Sequence, residues 1–128
     1  MNRKNDLRVN KKMPSVFKYF GWCTNNSVRP SEETVIAAIK SLTDKHFPVK
    51  FLLIDVGWMQ SNQHQELESF TANTELFSGG FNSMNERLKS KFGIKYPGIW
   101  HTLNGDFQGI DVTSELGQRY RNALFDYT

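Results

Sequence analysis

The chain has one cysteine, Cys23, in 128 residues. No disulfide can close within it, which excludes a small secreted scaffold held by cross-links. No apolar run approaches the ~20 residues of a membrane-spanning helix. The basic start leads into Met13-Pro14-Ser15 and not into an apolar segment, so no secretory signal is read there. The expected location is therefore cytoplasmic. Metal-ligand patterns are also missing: no Cys, Asp or Glu lies at ligand spacing beside His101, so no metal site is expected, and nothing implies a cofactor. Aromatic residues are not scarce. Ten Phe and three Trp argue against disorder, although the hydrophobic share of 38% is modest for a closed core.

The net charge is +3, and its excess is local. Arg3, Lys4, Arg8, Lys11, Lys12 and Lys18 face Asp6 alone in the first eighteen residues. No aromatic platform or Arg-rich helix follows, as a nucleic-acid module would need. Residues 1–13 are read as a basic, flexible, solvated segment with neither a nucleic-acid nor a membrane partner, and residues 14–128 as one domain.

Apolar segments alternate with helical patterns. Val16 to Cys23, rich in aromatic residues, predicts a short strand, and Thr24-Asn25-Asn26-Ser27 a turn. Ser31 caps a helix that has Glu32 and Glu33 in its first turn and Val35, Ile36, Ile39 and Leu42 at helical spacing, ending near Lys45. Val49 to Asp55 is a near-continuous apolar run, which suits a parallel strand buried on both faces. Ser61 to Glu68 reads as an exposed loop. A second helix follows Gly79-Gly80 through Phe81, Met84, Leu88 and Phe92, with Ser83 and Glu86 as a capping box and Gly93 as its stop. Ile94 to Leu103 is a third strand, and Glu115 to Phe125 a further helix. This alternation predicts an α/β fold with a parallel sheet in the order first, second, third.

In parallel α/β folds ligands bind at the carboxyl ends of the strands. The residues there are Trp22, Asp55, Trp58, Trp100 and His101. Indole faces pack on the apolar side of a pyranose and a carboxylate accepts from its hydroxyls, so the set suits sugar recognition. The alternative is that the tryptophans are rim packing, that Asp55 caps a turn and that His101 is structural. A Cys23–His101 nucleophile pair is a further idea, with no activating arrangement visible.

Phe20-Gly21-Trp22-Cys23-Thr24 resembles the Gly-Trp-Cys-Thr-Trp-Asp motif of glycoside hydrolase family 36, in the raffinose synthase, seed imbibition and alkaline α-galactosidase group. Ile54-Asp55-Val56-Gly57-Trp58 resembles its Ile-Asp-Asp-Gly-Trp-Gln. Phe70-Thr71-Ala72-Asn73, with Phe77 and Gly80-Phe81, and the stretch Trp100 to Gly109 resemble two further motifs in the same order. The resemblance covers about residues 14 to 110. It implies a (β/α)₈ barrel of the TIM type acting on α-galactosides by a retaining mechanism. Asn25-Asn26 replaces Trp-Asp, Val56 replaces the second Asp of the Asp-Asp pair, Met59 replaces Gln, and Asp106-Phe107-Gln108 replaces Tyr-Trp-Gly.

Such a barrel needs roughly 250 residues, and only about its first three units are visible. The family's nucleophile and acid/base lie on later strands, so no catalytic residue is assigned. Trp22, Asp55, Trp58, Trp100 and His101 are carried over as substrate-pocket positions for an α-galactoside. Three functional readings follow. The chain is a fragment or degenerate relic that is not catalytic as it stands, the N-terminal part of an active α-galactosidase or galactosyltransferase, or a small carbohydrate-binding or interaction module. Open sheet edges predict self-association.

Overall fold

A computed structural model describes residues 10–125. Most of the basic segment, residues 1–9, and residues 126–128 at the end of the expected domain lie outside the described residues. The elements are β1 (Phe20–Cys23), α1 (Glu32–Asp44), β2 (Val49–Ile54), β3 (Met59–Ser61), β4 (Leu67–Ala72), α2 (Gly80–Phe92), β5 (Tyr96–Ile99) and α3 (Glu115–Arg119).

β1, β2 and β5 form a parallel sheet in that order, as the alternation predicts. Trp22 stands opposite Leu52 and Leu52 opposite Pro97; the β1–β2 register is regular from Gly21 to Cys23 and shifts by one residue between Phe20 and Gly21. The sheet grows in one direction. Right-handed crossovers then place successive helices on one face. α1 and α2 do lie side by side, joined by an Arg87–Glu32 ion pair. They share one core with the sheet: Val35 and Ile39 of α1, Met84 and Leu88 of α2, Leu52 and Ile54 of β2, and Ile94.

α1 begins as its residues predict. The Ser31 hydroxyl accepts from the Thr34 N–H at 3.1 Å, and Thr34 Oγ1 accepts from the Ser31 N–H at 3.0 Å. This reciprocal pair satisfies two donors that a helix start leaves free. α2 ends at Gly93, whose φ of 66° is open to glycine at little cost.

Six expectations are corrected. The first strand is shorter than Val16–Cys23, because Ser15–Lys18 forms a 3₁₀ turn before β1. β2 is buried on one face only: Leu52 and Ile54 are covered by the helices, whereas Phe51 and Leu53 on the other face are half-buried. The loop expected over Ser61–Glu68 is confined to residues 62–66, where Gln63, His64 and Gln65 are exposed. Met59–Ser61 and Leu67–Ala72 pair antiparallel as a hairpin, and Leu67 is fully buried. Ser83 caps nothing, because α2 already starts at Gly80 and its cap position is Gly79. The last helix spans only Glu115–Arg119, followed by a 3₁₀ turn, and lies against β4 and not against the sheet. The third strand, Tyr96–Ile99, is likewise shorter than the Ile94–Leu103 pattern.

Candidate functional site

At the carboxyl end of the sheet, Thr24 follows β1 and Asp55 follows β2. Thr24 donates its N–H to the Leu53 carbonyl at 3.0 Å, continuing the β1–β2 ladder by one step. Its Oγ1 accepts from the Asp55 N–H at 2.9 Å. The carbonyl of Thr24 turns away into the next loop, where it accepts from the N–H of Ser27 at 3.0 Å and from the Ser27 hydroxyl at 2.9 Å. Thr24 is buried, with its polar atoms all partnered.

The loop from Thr24 to Pro30 and the turn Asp55–Val56 enclose an open cleft of ≈ 350 Å³. Asn25, Asn26, Ser27 and Arg29 line it, with Asp55 the only carboxylate among the described residues. The volume lies near the lower bound of small-molecule sites. Amides, a guanidinium and a carboxylate together offer donors and acceptors for a polyhydroxylated ligand. Of the positions that depart from the motifs, Asn25, Asn26 and Val56 line this cleft, whereas Met59, Asp106, Phe107 and Gln108 do not.

The other sequence-selected residues do not line the cleft. Trp100 adjoins Asp55 at the same end of the sheet, since its N–H donates to the Ile54 carbonyl at 2.7 Å. Its ring leans on Phe107 with centroids 5.6 Å apart. Trp58 is 3% exposed; it packs on Phe81 and donates its indole N–H to the Trp100 carbonyl at 2.7 Å. Trp22 is partly buried against the core. His101 is exposed and meets Phe70 edge-on at 5.3 Å. β2 separates Cys23 from the strand that leads to His101.

A second polar cluster ties the hairpin to the segment after β5. Ser61 donates to the buried Asp106 carboxylate at 2.6 Å. Asn62 donates to Glu66 at 2.8 Å and to Asp111 at 3.2 Å. The Thr113 hydroxyl and N–H both donate to Asp111 at 2.7 Å, and these bonds hold its carboxyl below the usual carboxylate range. Leu67 bridges to Ile110 in the same region. Among the described residues no group of three or more His, Cys, Asp or Glu could hold a metal ion, and no helix is long and apolar enough to cross a membrane.

The sequence selects Asp55 and places Thr24 at the end of the first strand without giving it a role, and it does not single out Arg29 as a cleft residue. The available signal was the hydroxyl immediately after the last strand residue, Cys23. Nothing in the order of residues shows where that hydroxyl points.

Comparison with known proteins agrees with the motif resemblance. Residues 1–79 match the family described as raffinose synthase or seed imbibition protein Sip1. The chain is 29% identical over 131 residues to a probable galactinol–sucrose galactosyltransferase 6 of Arabidopsis thaliana, covering 86% of this chain and 18% of that protein. It is 24% identical over 132 residues to a probable galactinol–sucrose galactosyltransferase 1 of the same plant, covering 80% of this chain and 18% of that protein. It is 27% identical over 115 residues to a galactinol–sucrose galactosyltransferase of Pisum sativum, covering 86% of this chain and 14% of that protein. The chain thus spans less than a fifth of the length of these curated relatives.

Proposed function

The chain belongs to the raffinose synthase or seed imbibition protein family, and we propose that it forms the first three β/α units of a (β/α)₈ barrel and supplies one wall of an α-galactoside pocket without performing chemistry itself. The one-directional sheet supports the barrel reading. A doubly wound sheet would reverse its strand order and place helices on both faces, whereas here α1 and α2 share one face. On this reading the half-buried Phe51 and Leu53 face the barrel interior.

The observation that carries the binding function is Asp55, which lines the cleft at the carboxyl end of β2. A carboxylate there accepts from sugar hydroxyls while Asn25, Asn26 and Arg29 donate. Retaining glycosyl transfer needs two carboxyl groups ≈ 5–5.5 Å apart, and among the described residues Asp55 is the one carboxylate lining the cleft. Three of the departures from the family motifs, Asn25, Asn26 and Val56, fall on that same wall, which favours a relic with a weakened pocket over an intact active site. Losing a designed polar partner to a ligand hydroxyl costs orders of magnitude in discrimination.

Calorimetric titration with methyl α-D-galactopyranoside tests the reading. Saturable binding that Asp55→Asn removes is the expected result, together with no release of nitrophenol from a nitrophenyl α-galactoside. No binding by the native chain overturns the pocket reading. Turnover abolished by Asp55→Asn overturns the non-catalytic part. The length of the relatives favours a second reading, in which these units open a longer, active galactosyltransferase. Transfer activity regained when the chain is co-expressed with later barrel units supports that reading.

A further inference from the structure

We propose that Thr24 is the positioning residue of the cleft: its side-chain hydroxyl replaces a missing backbone acceptor and so holds Asp55 in place. The inference deepens the galactoside reading and rests on it for its functional consequence.

In a parallel ladder each residue donates to one neighbour of its partner and accepts from the next but one. Thr24 donates to the Leu53 carbonyl, so the next bond should run from the Asp55 N–H to the Thr24 carbonyl. That carbonyl is engaged by the loop: Ser27 N–H, Val28 N–H and the Ser27 hydroxyl all donate to it. The Asp55 N–H would lose its partner where β1 turns away. Thr24 Oγ1 fills the position at 2.9 Å.

The consequence is geometric. β1 leaves the sheet early enough for residues 24–30 to form the cleft wall, yet β2 stays paired for one residue more, up to Asp55. A side chain without a hydroxyl would force a choice between the turn at Ser27 and the anchoring of Asp55. The strand pairing itself does not need the hydroxyl, since the Thr24 N–H secures it. The hydroxyl therefore serves the residue that lines the cleft. Serine keeps the acceptor and valine keeps only the shape.

The test uses the full chain and the variants Thr24→Ser and Thr24→Val, read by amide hydrogen exchange at Asp55 and by titration with methyl α-D-galactopyranoside. Thr24→Val should speed exchange at Asp55 by about tenfold relative to the core amide of Leu52, the scale of one lost hydrogen bond. Thr24→Ser should restore most of the protection. Galactoside affinity should follow the same order. Equal protection at Asp55 in all three proteins overturns the assignment, as does a serine variant as impaired as the valine variant. Should Thr24→Val not fold, the native protein and the serine variant still decide: an Asp55 amide exchanging as fast as an exposed loop amide in both defeats the proposal. If the exchange pattern holds and no variant binds the sugar, the galactoside reading fails while Thr24 remains the anchor of Asp55.

Discussion

The indole nitrogen of Trp58 donates to the carbonyl oxygen of Trp100 at 2.7 Å, so the loop after β2 holds the chain as it leaves β5. The same tryptophan packs on Phe81 of α2, and its own carbonyl accepts from the Asn73 N–H at 2.8 Å. One buried residue thus joins the end of the hairpin, the second helix and the end of the third parallel strand. Trp58→Phe keeps an aromatic ring and removes the donor. A buried acceptor left without its partner costs about 1–3 kcal/mol, and denaturant unfolding should show a loss of that size. An unchanged midpoint would mean that water or a shifted backbone replaces the bond.

Two serines that look alike in the sequence should behave differently. Ser31→Ala removes a reciprocal cap at the start of α1 and should cost about 1 kcal/mol. Ser83 lies inside the first turn of α2 and makes no cap. Its replacement by alanine should stay within about 0.5 kcal/mol of neutral. Matched thermal unfolding of the two variants checks the contrast.

Asp111 makes the polar cluster pH-sensitive. Its carboxyl is held below the ordinary value, chiefly by the Thr113 hydroxyl and then by the Thr113 N–H. The folded state therefore favours the ionised form. The resulting stabilisation is fully present above the unfolded value of about 3.9 and is lost as pH falls through the lower folded value. The difference in unfolding midpoint between the native protein and Asp111→Asn should be constant near neutrality and shrink in that acid window. A difference that grows on acidification would contradict the assignment.

Gly21 lies beneath the ring of Phe51 on the sheet face away from the helices, and a Cβ there would overlap that ring. Gly21→Ala should cost about 1–3 kcal/mol by overpacking. Phe51→Leu should relieve part of the strain, with a coupling of at least about 0.5 kcal/mol in a double-mutant cycle. Additive effects would show that the ring moves aside freely.

We propose that the isolated chain self-associates through its sheet edges. β1 and β5 each pair on one side only among the described residues, and Phe17 (68% exposed), Phe20 (54%) and Ile99 (44%) lie at or beside those edges. Unpaired edges with large apolar neighbours template further pairing. Sedimentation velocity over a concentration series should show mass rising with concentration, and Ile99→Lys should reduce it. A monomer at every concentration, with a sharp cooperative thermal transition, would sink the proposal.

Local chemistry made much of this chain legible. The Ser31 cap, the spacing of Val35 and Ile39, the apolar run Val49–Ile54 and the stop at Gly93 each depend on neighbours within a few residues. The alternation of such elements implied the parallel order of the sheet, and Asp55 was visible as a carboxylate closing an apolar strand. The remaining features depended on partners far along the chain. Met59–Ser61 and Leu67–Ala72 carry polar residues and irregular register, so their hairpin is stabilised by the burial of Leu67 beside Ile110 more than by any period-two pattern. Trp58 stands at a strand end in the sequence, yet its ring is buried because the turn at Gly57, with φ of 98°, sends the chain back over α2. The role of Thr24 was likewise invisible: a hydroxyl becomes an anchor only when one strand turns away and leaves the next without its carbonyl. Spacing along the chain determines elements, whereas the partner of a side chain depends on which backbone groups the packed strands leave unsatisfied.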